Sequence, residues 1–314
     1  MKWHDFLGCM AWVAAILAAS VIVPFFGPLI GLLGPLPYIY YSMKLGLRQG
    51  AVITALTLAA LTLFSATAGF PRLPLVAVEF GVVGWGLAML FRMRLGIGLT
   101  ILLGTCLMLS IGVAFLLTLS FMKGMGFFEL VREYMQTHLE ATMAMYGSGG
   151  GGARGGSQLT EAHKAVIEGI MNLFPSLGVI GASFSVWLNV VSASALLRRS
   201  GLSAPDFGRP ELWRAPENLV WILIVAGFSL FLASGGLKYL ALNLFLVVAV
   251  VYLYQGMAIV LFFLKKYDVP GWMRPLIYFF LVVQQVLTVV VAAGGLFDQW
   301  IDFRKIHKRR GLIS

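Results

Sequence analysis

A bundle of membrane-spanning α-helices, all-α in class, is what this chain predicts, and three observations carry the prediction. Of its 314 residues 60% are hydrophobic and only 11% are charged, where a soluble domain carries about 25% charged residues. Mean hydropathy is +0.90. A soluble fold of this length leaves too much surface in water to hide so many apolar side chains, and lipid removes the conflict. The apolar residues also come in runs close to the ~20 that a helix needs to cross a bilayer. The runs are apolar all round, without the alternation of barrel strands.

In chain order the runs are 6–23, 28–43, 50–68, 73–91, 96–121, 174–197, 217–235, 239–264 and 275–296, which predicts eight to nine spans. The first has a basic residue before it (Lys2) and small residues after it (Ala18, Ala19, Ser20), as a secretory leader does. Its apolar character resumes at once through Ile22, Phe25, Leu29 and Leu32, so a retained helix is expected. The second run contains Gly31, Gly34, Pro35 and Pro37; prolines free carbonyls and bend helices, so it reads as a broken helix or as a hairpin with the first. Residues 1–121 form an N-terminal transmembrane bundle that 174–197 completes.

Between them, 122–173 is a polar insertion. It opens on an amphipathic stretch with Phe127, Phe128, Leu130, Val131 and Tyr134 among Glu129, Arg132 and Glu133, suited to a helix at the membrane interface. A glycine-rich linker, Gly147 to Gly156, comes next, and a short helix over 160–173 leads back to the membrane. Residues 198–216 are a polar, proline-bearing loop, 217–297 hold the C-terminal transmembrane helices, and 298–314 are a basic tail.

Orientation follows from Lys and Arg in the short loops. With the N-terminus inside, the inner loops hold Lys44, Arg48, Arg92, Arg94, Arg198, Arg199, Arg209, Arg214, Lys265, Lys266 and Arg274, while the short outer loops hold Arg72 and Lys238. Nine spans would then leave Arg304, Lys305, Lys308, Arg309 and Arg310 outside, against the rule. One span is miscounted on this reading, and the second run or the central insertion is the place to look. Odd and even counts both stay open.

The net charge of +10 belongs to these loops facing anionic headgroups, and no nucleic-acid motif accompanies it. The glycine run lacks the Gly-Lys-Ser/Thr of a phosphate loop. His4, His138, His163 and His307 have no metal spacing, Cys9 and Cys106 sit in apolar runs, and no nucleophile–base signature occurs, so neither enzyme, cofactor nor metal is expected.

Glu79 stands out, because a carboxylate inside a span costs a few kcal/mol and usually has a reason. It would bind a cation, a proton or a substrate amine, or else reach the interface and pair with Arg72. Asn189, Asn243, Gln255, Gln284 and Gln285 would line a solute pocket or tie helices together. Ala11, Ala15 and Ala19, and Ala51, Ala55 and Ala59, recur every four residues, a spacing that lets helices approach closely, in this chain or from a partner. Trp300 and Phe303 suit the headgroup level, and Arg304 with the basic residues after it suits phosphates or a docking partner.

Two stretches carry a family resemblance. Phe207 to Trp221, with Trp213-Arg-Ala-Pro216 at its centre, and Gly295-Leu-Phe-Asp-Gln-Trp-Ile-Asp-Phe-Arg304 resemble the YybS-like bacterial membrane proteins, a family defined as a domain of unknown function. Separately, Gly34-Pro-Leu-Pro-Tyr-Ile-Tyr-Tyr-Ser-Met-Lys-Leu-Gly-Leu-Arg-Gln-Gly50 resembles the substrate-binding subunits of energy-coupling-factor vitamin transporters. That second resemblance implies that Ala11, Ala15, Ala51 and Ala55 contact a coupling subunit. Those subunits have about six spans, and here further spans follow a long loop.

Two functions follow as expectations for a bacterial inner-membrane protein with a cytoplasmic N-terminus. One is a solute-binding transport subunit, with Glu79 and Asn189 on the solute and an energy-coupling ATPase module as partner. The other is a non-enzymatic scaffold or assembly factor that docks an envelope protein through the alanine ridges, the 198–216 loop, Trp300 and Arg304.

Overall fold

The computed structural model describes residues 3–23, 26–69, 73–147 and 156–304. Among these residues every regular element is helical, as the apolar runs require. The chain divides into two compact units.

The first unit comprises Met1–Leu95, Leu99–Phe174 and Gly181–Asp206. It opens with α1 (Trp3–Ile22), α2 (Gly27–Gly31), α3 (Leu36–Leu45), α4 (Leu47–Ala68) and α5 (Leu73–Arg92). Most of α6 (Ile97–Lys123), α7 (Phe127–Gly147) and most of α8 (Gly156–Arg199) complete it. The run expected as a second span is two short helices, α2 and α3. Pro35 has no amide hydrogen, and the turn over 32–35 replaces the bonds a continuous helix would make.

The broken pair nonetheless runs the length of α1 in the opposite direction. Gly27 and Gly31 lie against Ser20 near the end of α1, and Lys44 at the end of α3 donates to Asp5 in the first turn of α1 at 2.7 Å. Cys9, Val13, Tyr38, Ile53, Leu61 and Ala77 make the buried core between α1, α3, α4 and α5. Gly84 admits this packing: a Cβ there would meet the Pro35 carbonyl oxygen and the Tyr38 Cβ, each at 2.6 Å.

The short helix expected over 160–173 and the span after it are one helix, α8, of 44 residues with Pro175 inside it. Most of the glycine linker lies outside the described residues.

The second unit comprises Phe207–Ser314 with two short pieces, Gly96–Gly98 and Pro175–Ile180. Its helices are α9 (Leu219–Leu232), α10 (Gly236–Lys266), α11 (Met273–Val283) and α12 (Gln285–Ile301). Beside Pro175, the Ser176 amide donates to Asn243 of α10 at 2.8 Å. Helix α9 lies along the first half of α10, with Val220 and Val248 in one buried cluster and Gly227 against Phe245. Where α12 crosses α10, Cβ atoms on Gly256 and Gly295 would strike the Val291 and Tyr252 carbonyl oxygens. Both positions are therefore restricted to glycine.

Among the described residues six helices are long and apolar enough to cross a membrane, or seven if the bent pair α11–α12 is one span. That is fewer than the eight to nine expected by reading runs, for three physical reasons. Prolines interrupt the second run, α9 is only 14 residues long, and the last run breaks at Gln284, where α11 and α12 meet at 98°.

Candidate functional site

The densest polar chemistry of the second unit gathers where the loop 207–216 meets the end of α12. The loop is extended because its sequence forbids helix: Gly208 has φ of 68°, Pro210 starts a single 3-10 turn, Pro210–Leu212, and Pro216 keeps Ala215 out of the helical region. An extended segment packed against helices has backbone groups with no ladder to join.

Side chains supply the partners. Arg304 Nη1 donates to the carbonyl oxygens of Glu211 at 2.8 Å and Trp213 at 3.0 Å. The Ala215 amide donates to Gln255 Oε1 at 3.0 Å, and Gln255 Nε2 donates onward to Asp298 Oδ2 at 3.3 Å.

Asp298 is the hub. It is 0% exposed and Arg304 is 2% exposed, and Arg304 Nη2 donates to Asp298 Oδ2 at 2.6 Å. Arg214 Nε stands 3.5 Å from the same oxygen and pairs through Nη2 with Asp302. Asp298 Oδ1 accepts the Phe303 amide at 3.1 Å. Asp302 closes α12 in the left-handed region, with φ of 46°. That reversal carries the chain back so that Arg304 reaches both Asp298 and the loop.

A second ion cluster sits beside the first. Glu211, buried at 3% exposure, receives Lys265 at 2.9 Å and Arg209 at 3.1 Å. Burial alone would raise the Glu211 carboxyl. Hydrogen bonds from Lys265, from its own backbone amide and from Arg209 outweigh burial and hold it below the usual glutamate range. Gln299 adds a bond to the Tyr252 hydroxyl at 3.2 Å.

Each carboxylate has a cation: Arg304 and Arg214 face Asp298, Arg214 also faces Asp302, and Lys265 and Arg209 face Glu211. Buried ions are tolerated when paired and hydrogen-bonded in this way. The arrangement is an ionic clasp that ties α10, α12 and the loop together.

The residues singled out by sequence fall elsewhere. Glu79 is half-buried on α5 and has no ion-pair or hydrogen-bond partner among the described residues; Arg72, its expected partner, lies outside them. Asn189 is fully buried on α8 and donates to the Leu32 carbonyl at 2.7 Å and the Ser185 carbonyl at 2.8 Å. It thereby caps the carbonyl exposed by the α2–α3 break, with Ser185 assisting at 3.3 Å. No hydrogen bond among the described residues links Asn189 to Glu79.

Ala11, Ala15, Ala55 and Ala59 are exposed, and Ala51 is half-exposed. Trp300 and Arg304, expected on one docking surface, are divided: Trp300 is 61% exposed and Arg304 points inward. The physical reason is the loop, whose carbonyls need a donor and find it in Arg304. His307 and the basic residues from Lys305 onward lie outside the described residues.

Sequence reasoning did not assign Asp298, Asp302, Arg214, Gln255 or Glu211 to one site. The signal was present in the two charged blocks around Trp213 and Trp300, since charges in so apolar a chain need partners. Nothing in the spacing said that the blocks partner each other.

Comparison with known proteins covers the same ground. The family described as Predicted membrane protein (DUF2232) matches residues 11–299. The chain is 25% identical over 297 residues to the protein titled Uncharacterized protein YybS from Bacillus subtilis (strain 168), an alignment covering 93% of each. The expected likeness to YybS-like proteins is thus borne out, and neither match bears on the likeness to energy-coupling-factor subunits. No solved structure matches.

Proposed function

Since the chain belongs to the DUF2232 family of predicted membrane proteins, we propose that it is a non-enzymatic scaffold of the bacterial inner membrane, with a cytoplasmic N-terminus. The observation that supports this best is how the polar side chains within the helices are used. Asn189 fastens the α2–α3 turn, Asn243 holds the Ser176 amide beside Pro175, and Gln255 holds the loop and Asp298. Each binds the chain to itself.

The alanine ridges do the reverse. Ala11 and Ala15 on α1, and Ala55 and Ala59 on α4, face out of the unit. In lipid, such faces gain from close packing against another helix. An envelope membrane protein offering its own small-residue helix is the partner this surface fits. Extraction of the tagged protein from its host membrane, with and without Ala11→Leu and Ala15→Leu together, tests the reading. The bulky pair is expected to remove a stoichiometric partner while the protein stays folded; retention of every partner overturns it.

A second reading, a solute-binding transport subunit, draws on two acceptors. Glu79 has no partner among the described residues, and Asn189 Oδ1 is buried without one. Native mass spectrometry of gently extracted protein separates the readings. A small molecule held one-to-one and lost in Glu79→Gln would favour transport, with an energy-coupling ATPase module as the partner to seek.

A further inference from the structure

We infer that residues 266–304 do not cross the membrane but enter and leave it on one face, as a re-entrant hairpin sealed by the ionic clasp. The decisive residue is Glu211. Its carboxylate takes Lys265, at the end of α10, at 2.9 Å. Its carbonyl takes Arg304, just past α12, at 2.8 Å. The segment between therefore starts and finishes at one point of the 207–216 loop. A span would separate its two ends by the ~30 Å of the hydrocarbon core.

Helix lengths agree. Helix α11 has 11 residues and α12 has 17, about 16 and 25 Å, and they turn through 98° between them. Exposed Leu276, Phe279, Phe280 and Val283 on α11, and Val286, Val289 and Val290 on α12, place the hairpin in lipid rather than water.

The break between them is chemically sealed, as non-helical backbone at membrane depth must be. Gln284 donates its amide to the Phe280 carbonyl at 3.0 Å, and the Thr288 hydroxyl donates to the Leu281 carbonyl at 2.6 Å.

The inference removes the last apolar run, 275–296, from the spans counted in the sequence. Helix α10 is a full span of 31 residues, so Ser234, just before it, lies opposite Lys265 and the loop. Arg304, past the end of α12, is back at the loop.

Single cysteines test it. In a Cys9→Ala, Cys106→Ala background, Ser203→Cys in the loop, Ser234→Cys before α10 and Ser314→Cys in the tail are labelled with a membrane-impermeant maleimide. Right-side-out and inside-out vesicles are compared. The expected result is that Ser203→Cys and Ser314→Cys react in one vesicle orientation and Ser234→Cys in the other. Reaction of Ser314→Cys together with Ser234→Cys overturns the hairpin, because α11–α12 would then be a span. Reaction of all three from one side overturns it as well, since α10 would not separate Ser234 from the loop.

Discussion

Two stretches of non-helical backbone, the α2–α3 turn and the 207–216 loop, are satisfied by different chemistry. In the first unit the α2–α3 break is closed by neutral groups: Asn189 and Ser185 of α8 supply hydrogen-bond donors to the Leu32 carbonyl. In the second unit the loop 207–216 and the end of α12 are closed by ions: Asp298, Asp302 and Glu211 against Arg304, Arg214 and Lys265. A neutral amide adds no charge to the interior of a helix bundle and can be tolerated deep in it. An ionic clasp needs every partner, since removing one strands another. The first repair is robust and local; the second is strong only when complete, and joins three elements at once.

The largest effect expected from this contrast is at the clasp. Arg304→Ala leaves Asp298 buried without its closest cation and frees two carbonyls, and costs about 3–5 kcal/mol. Thermal unfolding in mild detergent is expected to show the C-terminal unit melting well below the wild type. Equal melting would mean that water replaces the guanidinium and that the clasp is not buried.

A smaller effect is expected where α12 meets α10. Gly295→Val places side-chain atoms where the Tyr252 carbonyl lies, and overpacking of this kind costs about 1–3 kcal/mol. The loss is expected in the same C-terminal transition, with the first unit unchanged.

Asn189→Ala sharpens the comparison from the neutral side. It uncovers one carbonyl and strands no charge, for about 1–3 kcal/mol. The contrast predicts a smaller melting shift than Arg304→Ala, independent of pH between 5 and 8, roughly the range in which only histidine ordinarily titrates. A shift as large as that of Arg304→Ala would erase the distinction between the two repairs.

The smallest effect is in pH. Glu211 is held below the ordinary glutamate range, so its ionised form is stabilised by folding. That contribution is fully present above the unfolded value, about 4.3, and is lost as pH falls through the lower folded value. Wild type and Glu211→Gln are therefore expected to differ in melting temperature at neutral pH and to converge on acidification below about pH 4. Convergence on raising the pH instead would reverse the sign and refute the pairing.

How much of this was legible in the sequence depends on range. The helical membrane class and the basic loops are local properties of composition, and they read directly. The proline break near Pro35 was visible, but its repair was not, because Asn189 lies 157 residues from Leu32. Gln255 looked like a packing amide and is one, yet its partners Ala215 and Asp298 come from two other elements. Arg304 shows the limit best. Beside Trp300 and before a basic run it reads as a headgroup contact, and only the left-handed turn at Asp302 directs it inward. Long apolar runs were overcounted as spans because hydropathy does not register a bend such as that at Gln284.

The separation of the clasp's parts along the chain also sets a schedule for synthesis. The Glu211 carbonyl is made 93 residues before the Arg304 side chain that occupies it. At roughly 5–20 residues per second the loop waits on the order of 5–20 s for its donor. Until then it is a nascent segment with unsatisfied carbonyls at the edge of the bilayer, accessible to water and to the insertion machinery. The C-terminal unit thus acquires its final form in one late event, after every helix it joins has been translated.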